Sequence, residues 1–144
     1  MKQRLALMSA ALWWGSLTTL GFVVVPLLFT HLATPAIAGT MAARLFTAQS
    51  WLSIGCALIL LMATARISED ESGDDDVRRA PPPATVLPIV GGLLLALLVE
   101  YAVAPRIVAR ENLKLWHSMG TGMYVLQWVC AGAALWRLGR TARP

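Results

Sequence analysis

The sequence has few charged residues. Asp, Glu, Lys and Arg make up 14% of the chain, whereas 57% of its residues are hydrophobic; an ordinary soluble domain carries roughly 25% charged residues. This composition excludes an ordinary soluble enzyme. The basic residues stand at the ends of apolar runs rather than on one surface, which excludes a nucleic-acid binder. We therefore expect an integral membrane protein whose main partner is the lipid bilayer.

Cysteine and histidine are also scarce, with two of each. Cys56 and Cys130 each fall inside an apolar run, where cysteine acts as a small hydrophobe, and no zinc-type spacing exists. A disulfide framework and a structural zinc site are therefore not expected. No catalytic motif is present, which favours a non-enzymatic protein but leaves enzymatic activity open. No cofactor is defined either, although a metal ion or a heme stays open as a ligand.

Four long apolar stretches dominate the chain. A spanning helix needs about 20 predominantly apolar residues, and each stretch has about that length. The sequence predicts an all-α integral membrane protein, a four-transmembrane-helix bundle that forms a single domain over residues 1–144. The predicted helices cover residues 5–32, 45–65, 84–104 and 115–138. The first stretch exceeds the roughly 7 to 15 apolar residues of a signal peptide, so we expect an uncleaved helix.

Two connecting segments differ in character. Residues 66–83 combine a run of acidic residues, three arginines and three consecutive prolines, which is typical of a disordered linker. Residues 33–44 follow the first helix on the other side of the membrane, and we expect them to lie along its surface.

The basic residues favour an orientation with both termini in the cytoplasm. Cytoplasmic segments of membrane proteins carry an excess of Lys and Arg. With N-in, C-in topology the inner segments hold Lys2, Arg4, Arg66, Arg78, Arg79, Arg137, Arg140 and Arg143. The outer segments hold only Arg44, Arg106, Arg110 and Lys114. We therefore expect a multi-pass protein of the inner cell membrane.

Glu100 is an acidic residue inside a predicted span. A charge at the membrane centre costs about 2.5 to 3.5 kcal/mol on insertion scales, so such a residue marks a site. Small residues share its helix face at four-residue spacing: Gly92, Ala96 and Ala104. We expect Glu100 to face the bundle interior, with Arg106 or Arg110 as its nearest cations. A structural ion pair near the interface is the alternative interpretation.

Further polar side chains fall in the same, predicted outer half of the bundle. They are His31, Arg44, Gln49, Arg106, Arg110 and His117. His117 begins a helix face of small and hydrogen-bonding residues that continues through Gly120, Thr121 and Tyr124. With Glu100 these residues predict an outward-facing polar pocket. For His117 itself, packing at the membrane interface is the alternative.

Pro26 interrupts the first predicted helix. It cannot donate a hydrogen bond to the carbonyl of Phe22, and that carbonyl needs another partner inside a bilayer. One interpretation is a cavity wall in this half of the helix. The other is a packed kink that accommodates an over-long helix.

Short motifs spread over nearly the whole chain resemble one family. They run from Phe22 to Phe29 (FVVVPLLF), then Ala38-Gly39, Leu45-Phe46, Gly55-Cys56-Ala57, Ala104-Pro105-Arg106 and Leu115-Trp116-His117-Ser118. The ordered set resembles the bacterial "domain of unknown function 4149", a family related to eukaryotic transmembrane protein 205. It is distantly similar to CopD-type copper-resistance membrane domains and to the HemJ-type protoporphyrinogen oxidase.

The resemblance implies a four-helix membrane protein of uncharacterised activity, whose eukaryotic relative is linked to platinum-drug resistance. The family positions carried over by motif are Pro26, Phe29, Phe46, Pro105, Arg106 and His117.

Three functions stay open at this point. The first is a small transport or metal/drug-resistance component that binds a cation, a metal complex or a small polar solute. The second is a heme- or quinone-associated redox protein, and the third is a structural helper of another membrane complex. Four helices enclose little volume, so we expect a transport pathway to require a homo-oligomer. The predicted binding residues are Glu100, His117, Arg106, Arg44, Gln49 and His31.

Overall fold

The computed structural model describes residues 2–71 and 82–141, with the side chains of 67–71 and 141 left aside. Within these ranges the chain is helical and contains no strand. The four helices are α1 (Lys2–His31), α2 (Pro35–Glu71), α3 (Pro83–Val108) and α4 (Leu113–Thr141). Two of them contain a π-helical turn, at Leu20–Val24 in α1 and at Val99–Val103 in α3.

Three helices are long and apolar enough to cross a membrane. They are Lys2–His31, Pro35–Arg66 and Pro83–Val108. This confirms the predicted all-helical fold with helices of membrane-spanning type. Among the described residues α4 does not reach the same hydropathy, because Lys114, His117, Gln127 and Arg137 interrupt its apolar residues. The predicted fourth span and the orientation therefore stay predictions.

The start of α2 differs from the sequence expectation. The helix begins at Pro35 rather than near residue 45, so a separate surface segment over 33–44 is wrong. Thr34 caps the helix: the N–H of Ile37 donates to Thr34 Oγ1 at 3.3 Å, and the N–H of Ala38 donates to the Thr34 carbonyl at 3.1 Å. Proline is favoured in the first helical turn, where its missing N–H has no helical acceptor.

The expected linker over 66–83 overlaps the end of α2, because this helix continues to Glu71. The remainder of that prediction, residues 72–81, lies outside the described residues. Residues 32–34 alone join α1 to α2, and residues 109–112 join α3 to α4. We call the end of the bundle that carries these two connections the short-connection end.

The helices close into a ring in which α1 packs against α2, α2 against α3, α3 against α4 and α4 against α1. Small residues dominate the interior. The core includes Ala6, Ala10, Trp13, Leu17, Ala57, Leu60, Ile89, Ala131 and Ala134. Large apolar side chains such as Met8, Leu87 and Trp136 point outward, as expected for a surface solvated by lipid. Cys56 and Cys130 are free thiols inside the bundle, as predicted.

Two adjacent tryptophans of α1 lie against glycines of two other helices. A Cβ atom at Gly92 of α3 would lie 2.5 Å from Cη2 of Trp13. A Cβ atom at Gly132 of α4 would lie 2.9 Å from Nε1 of Trp14. Both indole rings therefore occupy space that only glycine leaves open, and they fix the approach of α1 to α3 and α4.

Gly92→Ala is expected to destabilise the bundle by about 1 to 3 kcal/mol, the usual cost of overpacking, because the fully buried Trp13 ring cannot move aside. Gly55→Ala is the matched control, since nothing lies within 4 Å of a Cβ there. Equilibrium unfolding in mixed micelles measures both. Equal stability of the two variants would show that the contact between Trp13 and Gly92 does not determine the stability of the bundle.

The α3–α4 connection ends α3 with a Schellman motif. The N–H of Glu111 donates to the Arg106 carbonyl at 3.1 Å, and the N–H of Arg110 donates to the Ile107 carbonyl at 3.1 Å. This motif needs a left-handed residue, usually glycine. Here Arg110 takes that conformation with φ 57°, and Asn112 follows with φ 35°. Arginine carries the cost of a Cβ atom in this conformation, which asparagine tolerates better.

Arg110→Gly is accordingly expected to stabilise the fold by roughly 1 kcal/mol. Asn112→Gly, the control in the same connection, should gain less. Thermal unfolding of both variants in one detergent decides the point. A loss of stability in Arg110→Gly would mean that the arginine side chain contributes more than its backbone conformation costs.

Candidate functional site

The two π-helical turns have the same local design. In α1 the N–H of Val25 donates to the Leu20 carbonyl, and Pro26 follows directly. In α3 the N–H of Ala104 donates to the Val99 carbonyl, and Pro105 follows directly. Because proline cannot donate to the preceding turn, each helix widens by one residue before it. The helix α3 thus passes Pro105 and reaches Val108, beyond its predicted end at residue 104.

A cavity of about 330 Å³ lies between the four helices toward the short-connection end. We call it the bundle cavity. Both π-helical turns contribute to its wall, as do α2 and the first turns of α4. Its lining includes Gly21, Phe22, Phe29, Phe46, Thr47, Val99, Glu100, Val103, His117, Thr121 and Tyr124. Apart from Glu100 and His117, this wall is apolar, aromatic or hydroxylic.

Glu100 stands in the π-helical turn of α3 and is half-buried. Within the described residues its carboxylate has no hydrogen-bond or ion-pair partner. The expected pairing with Arg106 or Arg110 is therefore wrong for this part of the chain. The guanidinium of Arg106 lies 4.3 Å from the ring centroid of Trp116 instead, and Arg110 is exposed in the α3–α4 connection.

Tyr124 forms part of the cavity floor and is held from three sides. Its hydroxyl donates to the Leu17 carbonyl at 2.7 Å. Its ring lies so close to Gly21 that a Cβ there would be 2.7 Å from Cε1. The ring of Phe46 meets it edge to face, with centroids 5.3 Å apart and planes at 82°. These contacts tie α4 to α1 and α2 directly below the cavity.

A second aromatic layer lies next to the first. Trp128 packs against Trp14 with centroids 5.7 Å apart and meets Phe22 edge to face at 5.6 Å. Its Nε1–H donates to Thr18 Oγ1 at 2.8 Å, and that hydroxyl donates to the Trp14 carbonyl at 2.7 Å. Trp14 and Trp128 are therefore packing residues between α1 and α4. The edge-to-face contact with Trp128 positions Phe22 in the cavity wall.

The other predicted binding residues lie outside the cavity lining. Gln49 is buried in the core, where its Nε2 donates to Ser16 Oγ at 3.0 Å and to Ser53 Oγ at 3.3 Å. His31 is exposed, with Nδ1 2.8 Å from Thr30 Oγ1.

Arg44 lines a separate, shallow surface depression made by α2 alone, and Arg106 stacks on the surface. The structure brings together Glu100 and His117, and their role in binding stays a prediction. The family positions Phe29 and Phe46 line the same cavity.

Several lining residues were not singled out in the sequence, among them Gly21, Thr47 and Val103. Thr47 and Val103 carry no signal of their own in an apolar helix. Gly21 does carry one, because a glycine shortly before a membrane proline allows a close approach, in this case by Tyr124.

The donor set of the cavity is one carboxylate and one imidazole. Among the residues that the structure describes, no group of three or more His, Cys, Asp or Glu side chains could hold a metal ion. Zinc sites in proteins use at least three such ligands, so the described residues of the cavity do not form a zinc site.

The class defined by these features is an all-helical bundle with helices of membrane-spanning type and a ligand-sized interior cavity. The chain belongs to the family described as Domain of unknown function (DUF4149), which matches residues 8–115. No curated protein and no solved structure matches the chain.

The predicted family is thus confirmed, whereas the relation to transmembrane protein 205 and to the CopD and HemJ types stays an expectation from resemblance. The matched range includes both π-helical turns and Glu100 but ends before His117.

Proposed function

We propose that this protein is a small membrane transport or resistance component whose bundle cavity binds an organic cation with an apolar body. The observation that carries this proposal is the half-buried carboxylate of Glu100 in a cavity whose wall is mostly apolar and aromatic, with His117 and three hydroxyl groups as its other polar groups. The charge favours a cation, and the apolar wall favours a ligand that is not strongly hydrated. A small inorganic cation would lose its hydration shell on entering and would gain only one carboxylate ligand in exchange, so this cavity suits it less well.

The proposal includes four membrane spans with both termini in the cytoplasm. The 29 residues of α4 amount to about 43 Å of helix, more than the roughly 30 Å hydrocarbon core. Trp116 and Trp136 are spaced by about 30 Å along it, which suits the two aromatic belts of a membrane. Its lower hydropathy follows in part from His117, Thr121 and Tyr124, which line the cavity. In this orientation the cavity belongs to the outer half of the membrane.

A neutral quinone is the second candidate ligand, and the aromatic wall supports it. Phe22, Phe29, Phe46 and Tyr124 offer apolar surface to any flat ring. The two candidates differ in one respect: a neutral ring does not depend on the charge of Glu100.

Binding of benzyltrimethylammonium and of its neutral isostere neopentylbenzene separates these candidates. Calorimetry on the full chain in nanodiscs should give saturable binding of the cation, and Glu100→Gln should weaken it by roughly ten-fold or more, as expected for loss of a charged partner. Glu111→Gln is the matched control, because Glu111 is an exposed carboxylate at the same end of the bundle.

Affinity for neopentylbenzene should be the same in both variants. If the cation does not bind saturably, or binds Glu100→Gln as tightly as the parent, the proposed function is wrong. If only neopentylbenzene binds, and it binds equally well to both variants, the quinone-type alternative is favoured.

The topology has its own test. In a background with Cys56 and Cys130 replaced by alanine, Glu111→Cys should react with a membrane-impermeant maleimide added to intact cells. Asp75→Cys should react only after the cells are opened, because the positive-inside rule assigns residues 72–81 to the cytoplasm. The reverse labelling pattern would put the cavity in the inner half of the membrane.

A further inference from the structure

We propose that the bundle cavity is an aromatic cage selective for quaternary ammonium groups, over ammonium groups that carry N–H bonds. This inference rests on the proposed function and specifies the chemical class of its cation. It comes from the orientation of the rings around the cavity and from the position of the hydroxyl groups in its wall.

The rings come from three helices. Phe22 and Phe29 belong to α1, Phe46 to α2 and Tyr124 to α4, and all four line the cavity. The planes of Phe46 and Tyr124 are nearly perpendicular at 82°. In an edge-to-face pair neither face of the ring that presents its edge is covered by its partner, and each such face carries negative potential. Perpendicular rings around one space are the arrangement that proteins use to surround quaternary ammonium groups.

The cage is already organised before a ligand enters. Tyr124 is held by the Leu17 carbonyl and by close contact with Gly21, and Phe22 is held by Trp128. Few side chains must therefore be ordered on binding, and the free energy that ordering would cost is small.

The wall offers few acceptors to an ammonium ion with N–H bonds: besides Glu100 they are His117 and the hydroxyls of Thr47, Thr121 and Tyr124. Thr121 Oγ1 and Tyr124 Oη donate their protons to backbone carbonyls, so each is left with lone pairs in fixed directions only. A primary ammonium has three N–H donors to satisfy, and each one that is buried without an acceptor is costly. A quaternary ammonium has no such requirement.

The test compares benzylammonium with benzyltrimethylammonium, using calorimetry on the full chain in nanodiscs. The parent should bind the quaternary compound roughly ten-fold more tightly, which is the size expected for cation–π contacts in a desolvated site. Phe46→Leu should reduce this preference to about three-fold or less. Trp51→Leu is the matched control, since Trp51 is an aromatic residue of the same helix that is 54% exposed and lies outside the cavity.

Phe29→Leu provides a second variant, because Phe29 is 47% exposed and its loss leaves the buried core intact. This variant should also reduce the preference for benzyltrimethylammonium over benzylammonium. If both compounds bind with equal affinity and both depend on Glu100, the cage is wrong while the proposed cation site stands. If neither compound binds saturably, the proposed function and the cage are both wrong.

Discussion

The contacts of Trp13 and Trp14 with glycines are the constraint on which the rest of the bundle depends. Lipid tails are as apolar as the helix surfaces, so helices in a membrane associate through close packing and hydrogen bonds rather than through the hydrophobic effect. Gly92 and Gly132 let α1 sit directly on α3 and α4. Trp14 also packs against Trp128, which lies one turn of α4 away from the cavity-lining Tyr124.

Tight packing on one side of these aromatic side chains and an open space on the other divide the bundle into two halves. The half away from the short-connection end is filled largely by alanine, leucine and isoleucine side chains. The half at the short-connection end contains the two π-helical turns, the bundle cavity and Glu100. A carboxylate inside a membrane is costly, and Glu100 lies beside the cavity rather than in the close-packed core. The close-packed core and the proposed ligand site therefore lie in different parts of the same four helices.

Much of the helical fold could be predicted because it depends on local composition. Long apolar runs indicate the helices, and Gly92, Ala96 and Ala104 indicate the face on which Glu100 lies. The remaining features depend on partners far away in the chain. Gln49 donates to Ser16, the guanidinium of Arg106 stacks on Trp116, and the carbonyl of Leu17 accepts from Tyr124. A sequence pattern shows that such groups are polar, but it does not show which other helix satisfies them.

Each π-helical turn also contains one residue more than an α-helix needs to keep its register. A single deletion there would return the helix to α-helical register and leave the helix faces on both sides unchanged, although the proline after the turn would still lack an N–H to donate. In α3 the turn that contains this surplus is the turn that carries Glu100. The loss of one residue from this turn would therefore change which side chain stands beside the cavity at that position, while the helix faces that pack the bundle keep their register.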